Sequence, residues 1–215
     1  MGKSLSKAII FDFDGTLVDS EKSIYQCFQS ITNCIAPERI AYAKNILIGP
    51  PLRDTASEIL GSNHQGQLDT FVKLFIEMHD EHAIYNTCPY PGVIETLDKL
   101  NEKKVFMAIA TNKRHAPTIK LINHYNWQNY FMSIECSDDK NYIRNKDEMI
   151  QDILNNDNNF NKAFFIGDTV NDGLSANLSE LPFIKADYGY GRDQEWTKVN
   201  VKKVILNFAE TLKLI

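Results

Sequence analysis

The fold is decided by one stretch near the amino terminus, Ala8-Ile9-Ile10-Phe11-Asp12-Phe13-Asp14-Gly15-Thr16. Its apolar run passes directly into acidic residues, as in a buried parallel strand whose carboxyl end reaches a ligand site. Residues two apart on a strand point to the same side, so Asp12 and Asp14 are expected to project together, and Gly15 lets the backbone turn there. Two carboxylates about 4 Å apart repel by about 4 kcal/mol at an effective dielectric constant of about 20, so the pair requires a cation or a proton nearby.

Similar apolar runs recur along the chain and alternate with helical patterns. We predict strands over residues 8–13, 105–110, 131–134, 163–166 and 182–186, and helices over residues 93–103, 117–125, 146–154 and 173–178. The alternation of strand and helix is typical of an α/β domain with a mostly parallel sheet. The polar run over residues 155–161 is predicted to be the loop that precedes the strand at 163–166.

The region between residues 20 and 88 interrupts this alternation, because it shows only helical periodicity. We predict helices over residues 20–32, 38–46, 52–60 and 67–85. Turn-forming residues flank the region, with Gly15 before it and Pro89-Tyr90-Pro91-Gly92 after it. The sequence therefore predicts a Rossmann-like parallel-sheet core, formed by residues 1–19 and 89–215, with an inserted all-helical cap domain formed by residues 20–88. One continuous globule with several helices on one face is the alternative.

Composition and charge narrow the class of protein. The 215 residues are 43% hydrophobic with a formal net charge of −5, which excludes an intrinsically disordered chain. The acidic balance gives no basic surface for nucleic acid, and no stretch approaches the roughly 18 apolar residues of a membrane helix. The four cysteines lack C-x-x-C spacing, so we expect reduced thiols in a cytoplasmic protein with neither a nucleic-acid nor a membrane partner.

A second apolar run ends in acids, Phe164-Phe165-Ile166-Gly167-Asp168-Thr169-Val170-Asn171-Asp172. If the ends of the two strands meet, one site contains the carboxylates of Asp12, Asp14, Asp168 and Asp172. Oxygen-rich clusters suit a hard cation, and Mg²⁺ is the usual one where a phosphate supplies further ligands. The sequence therefore predicts a magnesium site formed by these four aspartates.

Neutral and basic residues lie next to other predicted strands and helices. Thr111 and Asn112 come directly after the strand at 105–110, where a hydroxyl, an amide and free backbone N–H groups can bind an anion. Lys146 precedes a predicted helix, and its ammonium can neutralise a carboxylate or a phosphate oxygen. Lys140 and Arg144 lie close upstream and compete for this role; Lys146 is preferred because the helical pattern starts directly after it.

These groups together favour phosphoryl transfer. A proton on Asp14 relieves the negative charge of the site and suits a general acid that protonates a leaving alkoxide. Asp12 is then the nucleophile that forms an aspartyl phosphate, and Asp14 activates water in the second step. Thr111, Lys146 and Mg²⁺ would stabilise the oxygens of the phosphoryl group in transfer, with Asn112 beside them.

The order D-x-D-G-T, then Thr, then Lys, then G-D-x-x-x-D resembles the haloacid dehalogenase-like hydrolase superfamily. The segments at 12–20, 48–54 and 111–113 resemble its phosphoglycolate phosphatase branch. The resemblance implies a Mg²⁺-dependent phosphatase acting on a small phosphorylated metabolite, with Arg53 of the cap as a candidate substrate contact. Lys113 is a second candidate contact. One departure is Asp147 after Lys146, where family members often have proline.

Other functions stay open. A phosphomutase would return the phosphoryl group to a sugar, and a binding protein on the same fold would not catalyse at all. A signalling receiver domain is disfavoured because its paired acids are adjacent and its phosphorylated aspartate lies on a later strand. We interpret the run 79–82, which contains two histidines, as a solvated helix face rather than a metal site, and the run 188–191 as a flexible loop. The oligomeric state is not indicated by the sequence.

Overall fold

The computed structural model describes residues 6–82, 84–156 and 160–215. The middle of the predicted polar loop, residues 157–159, therefore lies outside the described residues, as do residues 1–5 of the predicted core. Among the residues described, no helix combines the length and the apolar character that crossing a membrane requires.

The elements alternate as the sequence predicts. The strands are β1 (Ser6–Phe11), β2 (Val18–Asp19), β3 (Cys88–Pro89), β4 (Phe106–Thr111), β5 (Ser133–Cys136), β6 (Phe160–Gly167), β7 (Phe183–Ala186) and β8 (Val201–Ile205). The helices are α1 (Glu21–Ile35), α2 (Ile40–Ala43), α3 (Leu52–Leu60), α4 (Leu68–His82), α5 (Val93–Glu102), α6 (His115–His124), α7 (Lys146–Asn156) and α8 (Val170–Leu178).

Six strands form one parallel sheet in the order β5-β4-β1-β6-β7-β8. Strand β1 lies inside the sheet, and its apolar residues from Ala8 to Phe11 have no exposed surface. Their side chains alternate between the two faces, because Ile9 and Phe11 pack with α5 and α6 whereas Ile10 packs with α7 and α8. Helices cover both faces of the sheet, so the predicted α/β fold with a parallel sheet is confirmed.

The structure differs from the prediction in several elements. The short strands β2 and β3 were not predicted, and the described ends of the loop predicted over residues 155–161 belong instead to α7 and β6. Strand β8 was not predicted, because its sequence contains two lysines and it lies at the edge of the sheet. The predicted helix at 38–46 is instead a 3₁₀ turn over Pro37–Arg39 followed by the single turn α2. Ala43, Ile46 and Ile48 are buried in the cluster of the helical region, so the apolar spacing here reflects burial rather than a continuous helix.

The helical region, residues 20–88, has apolar contacts of its own. Its helices α1 to α4 enclose a buried cluster that is separate from the two clusters on the faces of the sheet. The region leaves and rejoins the rest of the chain through a two-stranded antiparallel ribbon in which Val18 pairs with Pro89 and Asp19 with Cys88. One predicted domain boundary follows Asp19 at the end of β2, and the other lies between Cys88 and Pro89 in β3.

Candidate active site

The acidic pair after β1 is positioned by a continuation of the sheet and a sharp turn. The backbone N–H of Asp12 donates to the carbonyl of Ile166 at 2.8 Å, so Asp12 extends the pairing of β1 with β6. Gly15 has φ +83°, and a Cβ built on it would lie 2.3 Å from Oδ2 of Asp168. Glycine is therefore required both for the backbone conformation and for the close approach of the two strand ends.

Three aspartates converge where β1 and β6 end. Asp12, Asp168 and Asp172 are buried, and a carboxylate oxygen of each lies within 4.8 Å of the other two. Asp168 accepts hydrogen bonds from the backbone N–H of Tyr190 at 2.6 Å and from Oγ1 of Thr16 at 3.4 Å. The predicted meeting of the two strand ends is thus present in the structure.

Asp172 is oriented by the start of α8. Its Oδ2 accepts from the backbone N–H of Thr169 at 2.9 Å and from the Thr169 hydroxyl at 2.6 Å, within a capping box. Its Oδ1 accepts from the ammonium of Lys146, which also donates to Oδ1 of Asp12 at 2.7 Å. Lys146 therefore joins the two ends of the acidic cluster.

The cluster has more negative than positive charge. Burial, with repulsion from Asp172, raises the pKa of Asp12 to about 7 although Lys146 opposes the shift. Burial and the neighbouring carboxylates of Asp172 and Asp12 also raise the pKa of Asp168 well above its usual value. The same two aspartates hold the pKa of Lys146 above its usual value despite burial, so this side chain carries a positive charge.

The donor set fits a hard divalent cation. It consists of carboxylate oxygens in a buried site, and its excess negative charge is what a bound cation would offset. The carboxylate of Asp14 is not part of this set, because it accepts from Nζ of Lys113 at 3.1 and 3.2 Å and from the Ser20 hydroxyl at 2.5 Å. Of the four aspartates predicted to bind metal, the structure thus groups three side chains.

The competing basic residues lie elsewhere. Lys140 pairs with Asp152 at 2.6 Å, and Arg144 pairs with Glu135 and Asp152, also at 2.6 Å. Lys146 is the one of the three predicted candidates that the structure brings to Asp12.

A cavity of about 110 Å³ separates the sheet edge from the helical region. Asp12, Asp14, Thr111, Asn112 and Lys146 line it from the sheet side. The Thr111 hydroxyl accepts from the backbone N–H of Lys113 at 3.1 Å, and the Asn112 amide donates to the carbonyl of Gly49 at 3.0 Å. The second contact links the loop after β4 to the helical region.

Of the two predicted substrate contacts, one lines the cavity and one does not. Lys113 is buried at the cavity wall, between Asp14 and His79. Arg53 is absent from the lining; its side chain is 60% exposed and pairs with Asp69 at 2.8 Å. The structure thus does not bring Arg53 together with the other site residues.

Two residues at this site were not predicted from the sequence. His79 was interpreted as part of a solvated helix face, but it is buried, lines the cavity and lies 3.4 Å from Nζ of Lys113. Its spacing of four from Phe75, and of eight from Phe71, is the signal that places it on the buried face of α4. The run 188–191 was interpreted as flexible, yet the Tyr190 hydroxyl accepts from the backbone N–H of Ser20 at 2.7 Å.

Comparisons with known proteins show similarity in sequence and in fold. The sequence matches a family described as haloacid dehalogenase-like hydrolase over residues 9–186. A phosphoglycolate phosphatase of Agrobacterium fabrum is 27% identical over 216 residues, covering 96% of this chain and 91% of its own. A 5'-nucleotidase of Pseudomonas aeruginosa is 24% identical over 189 residues, covering 87% and 85% of the two chains. The crystal structure of a predicted phosphoglycolate phosphatase from Haemophilus somnus has the same fold, with a TM-score of 0.83, 20% identity and 99% of both chains covered.

Proposed function

Because the chain belongs to the haloacid dehalogenase-like hydrolase family, we propose that it hydrolyses a small phosphorylated metabolite with Mg²⁺, through an aspartyl phosphate on Asp12. The chain is a phosphoglycolate phosphatase-like hydrolase, and its relatives named as phosphatases place it among the enzymes that hydrolyse phosphoric monoesters. The observation that carries the proposal is the convergence of Asp12, Asp168, Asp172 and Lys146 beside the cavity.

The first step transfers the phosphoryl group to the protein. A carboxylate oxygen of Asp12 attacks phosphorus while the bond to the ester oxygen breaks, and Asp14 donates its proton to the leaving alkoxide. Lys113 and the Ser20 hydroxyl fix the position of the Asp14 side chain at the cavity wall, beside the proposed nucleophile. Both donate hydrogen bonds, which suits the carboxylate that Asp14 becomes once it has given up the proton. Thr111, Asn112 and Lys146 line the same cavity and supply the groups proposed to bind the phosphoryl oxygens.

The second step regenerates the protein. Asp14, now ionised, takes a proton from a water molecule, whose oxygen attacks the phosphorus of the aspartyl phosphate. The bond between phosphorus and the Asp12 oxygen breaks, so inorganic phosphate leaves and Asp12 is again a carboxylate. Asp14 retains the proton and is ready for the next substrate.

We propose that Asp12, Asp168 and the backbone carbonyl of Asp14 hold Mg²⁺, with Asp172 as the fourth acid of the site. When bound, the cation supplies positive charge that offsets the carboxylates and the phosphoryl oxygens. Asp172 has its two oxygens engaged by Lys146 and Thr169, so it contributes to the charge of the site and orients Lys146.

Residues 20–88 are proposed to be the cap domain of this enzyme. Their own hydrophobic cluster and their attachment through one ribbon support the division. Because groups at the sheet edge interact with the phosphate and metal that every substrate shares, selection among substrates falls to the residues across the cavity.

Phosphate release from p-nitrophenyl phosphate and acetyl phosphate, with Mg²⁺ and with EDTA, tests the proposal. We expect release that requires Mg²⁺ and is lost in Asp12→Asn. Asp69→Asn is the matched control, because the Asp69 side chain is 87% exposed and lies outside the cavity lining. Absence of release from these substrates and from a panel of phosphorylated metabolites would refute the proposal. Transfer of the phosphoryl group to a hexose phosphate instead of water would indicate a phosphomutase.

A further inference from the structure

The wall of the cavity that faces the phosphate-binding groups is mainly apolar. The helical region contributes to it the apolar side chains of Ile24, Phe28, Ile48, Leu52, Phe75 and Ile76, together with the polar side chains of Thr55, His79 and Asp80. A leaving group attached to a phosphate at Asp12 would lie against this wall. Apolar contact of this kind favours carbon and hydrogen atoms over charged groups, because a charged group would lose its water.

The cations that line the cavity already have partners. Lys113 donates to both carboxylate oxygens of Asp14, at 3.1 and 3.2 Å. Arg114 pairs with Asp80 at 2.6 Å and with Asp138 at 3.1 Å. Lys146 is bound to two carboxylates at the catalytic cluster. Within the described part of the chain, every cation of the lining thus has a carboxylate partner. An anionic leaving group would have to displace that partner or, at Lys113, compete with the Asp14 side chain that the proposed first step uses.

His79 does not supply the missing charge. Its imidazole is buried, and burial together with the nearby cations Lys113 and Arg114 holds its pKa well below the usual 6.5. It is therefore neutral at neutral pH and can offer a hydrogen bond but no positive charge. Arg53, the remaining basic residue predicted to reach substrate, pairs with Asp69 outside the cavity.

From the apolar wall and the paired cations we infer that the preferred substrates are phosphate monoesters of small, uncharged, apolar alcohols, and that phosphoglycolate is a poor substrate. The inference rests on the proposed phosphatase function and specifies the leaving group. The carboxylate of glycolate would lose water in this cavity and would have to compete with Asp14, Asp80 or Asp138 for a cation, whereas an alkyl group would gain apolar contact. Relatives named as phosphoglycolate phosphatases do not decide this point, because substrate choice depends on the site rather than on the fold.

A small alcohol suits the comparison. About 110 Å³ of the cavity must hold the phosphoryl group as well as the part of the leaving group next to it. The atoms that contact the apolar side chains are therefore the first few carbon atoms of the alcohol. Propyl phosphate has such a leaving group and matches phosphoglycolate in length, so the two esters differ mainly in the charge at their end.

The first experiment compares kcat/KM for propyl phosphate and phosphoglycolate in the presence of Mg²⁺, with acetyl phosphate as a general substrate. We expect propyl phosphate to be preferred by about tenfold or more, since an unpaired buried carboxylate costs at least that factor. An equal rate, or a preference for phosphoglycolate, overturns the inference and leaves the phosphatase function intact. Loss of all activity, acetyl phosphate included, overturns the proposed function and the inference with it.

A binding measurement removes any difference in leaving-group reactivity. Butylphosphonate and 3-phosphonopropionate replace the ester oxygen of the two substrates with carbon and cannot be hydrolysed. Titration calorimetry with Mg²⁺ present should show tighter binding of butylphosphonate by about tenfold. Equal affinities, or tighter binding of 3-phosphonopropionate, contradict the inference.

A charge added to the apolar wall should reverse the preference. Ile76→Arg places a guanidinium at the cavity lining, and we expect kcat/KM for phosphoglycolate relative to propyl phosphate to rise about tenfold or more. Leu74→Arg is the matched control on the same helix, because Leu74 is exposed and does not line the cavity. Leu52→Lys repeats the test from α3 should Ile76→Arg not fold. If the variants that fold leave the ratio at the value of Leu74→Arg, the apolar wall does not set the preference.

Discussion

Replacing Asp12 with asparagine should stabilise the metal-free protein while abolishing turnover. Asp12 is buried in the acidic cluster, where burial and repulsion from Asp172 raise its pKa from 3.8 to about 7. The ionised side chain is therefore less favourable in the folded protein than in the unfolded chain. Asparagine has nearly the same shape but cannot ionise, so Asp12→Asn removes this cost.

The magnitude follows from the pKa of Asp12. A carboxyl whose pKa is raised by folding makes its full contribution to stability at pH values below its pKa in the unfolded chain. This contribution is lost as the pH rises through its pKa in the folded protein. Between pH 3.8 and about pH 7 the loss amounts to about 4 kcal/mol, at about 1.4 kcal/mol for each tenfold change in proton affinity. We therefore expect Asp12→Asn to exceed the natural protein in stability by about 4 kcal/mol at pH 8 and by about 2 kcal/mol at pH 5.

Urea unfolding in EDTA at pH 5 and pH 8 measures both differences. Asp69→Asn is the control, because a carboxylate that is 87% exposed should change stability little at either pH. Adding Mg²⁺ should stabilise the natural protein more than Asp12→Asn, since the variant has lost a proposed ligand. If Asp12→Asn is less stable than the natural protein at pH 8 in EDTA, or if the difference does not change with pH, the cluster does not have the electrostatics described above.

Three further substitutions test the placement of individual residues. Lys146→Met should lower kcat/KM by at least about 100-fold, because it removes the cation that bridges the acidic cluster. Its control is Lys140→Met, which removes an exposed ion pair and should leave kcat/KM within about twofold of the natural protein in the same steady-state assay. Gly15→Ala should destabilise the protein by about 2 kcal/mol or more in urea unfolding, because its Cβ would lie 2.3 Å from a buried carboxylate oxygen. Gly66→Ala is the control, since its Cβ would meet nothing within 4 Å, and a similar loss there would contradict the reasoning. Arg53→Ala should leave kcat/KM within about twofold, and a fall beyond tenfold would show that Arg53 reaches the substrate.

The parallel sheet could be predicted from sequence because its inner strands are apolar on both faces. Strands β1 and β4 lie within one or two residues of their predicted positions. Strand β8 could not be recognised in this way, because it lies at the edge of the sheet. Its sequence, Val201-Lys202-Lys203-Val204-Ile205, shows only part of the alternation of apolar and polar residues that is typical of a strand. At residues 38–46, by contrast, the sequence predicts a continuous helix that the structure does not contain. The apolar residues there have helical spacing, but the chain forms a 3₁₀ turn over Pro37–Arg39 and then the single turn α2.

The acidic cluster could be predicted because neighbouring parallel strands end at the same edge of a sheet. Asp12 and Asp168 follow β1 and β6, which pair directly, and the register of that pairing brings them together. The other wall of the cavity depends on how α4 packs against the loop after β4, which the sequence of either segment does not specify. His79 and Arg53 illustrate this, since the first is buried at the cavity and the second is exposed outside it.

The most direct test of the proposed chemistry is to quench the protein in acid within its first turnover and to map phosphorylated residues by mass spectrometry. With Mg²⁺ and a hydrolysable ester, we predict a phosphoryl group on the peptide that contains Asp12, appearing before free phosphate and decaying as phosphate accumulates. Phosphate produced at the full rate while Asp12 stays unmodified at every quench time, or a phosphoryl group on another residue, would contradict the account.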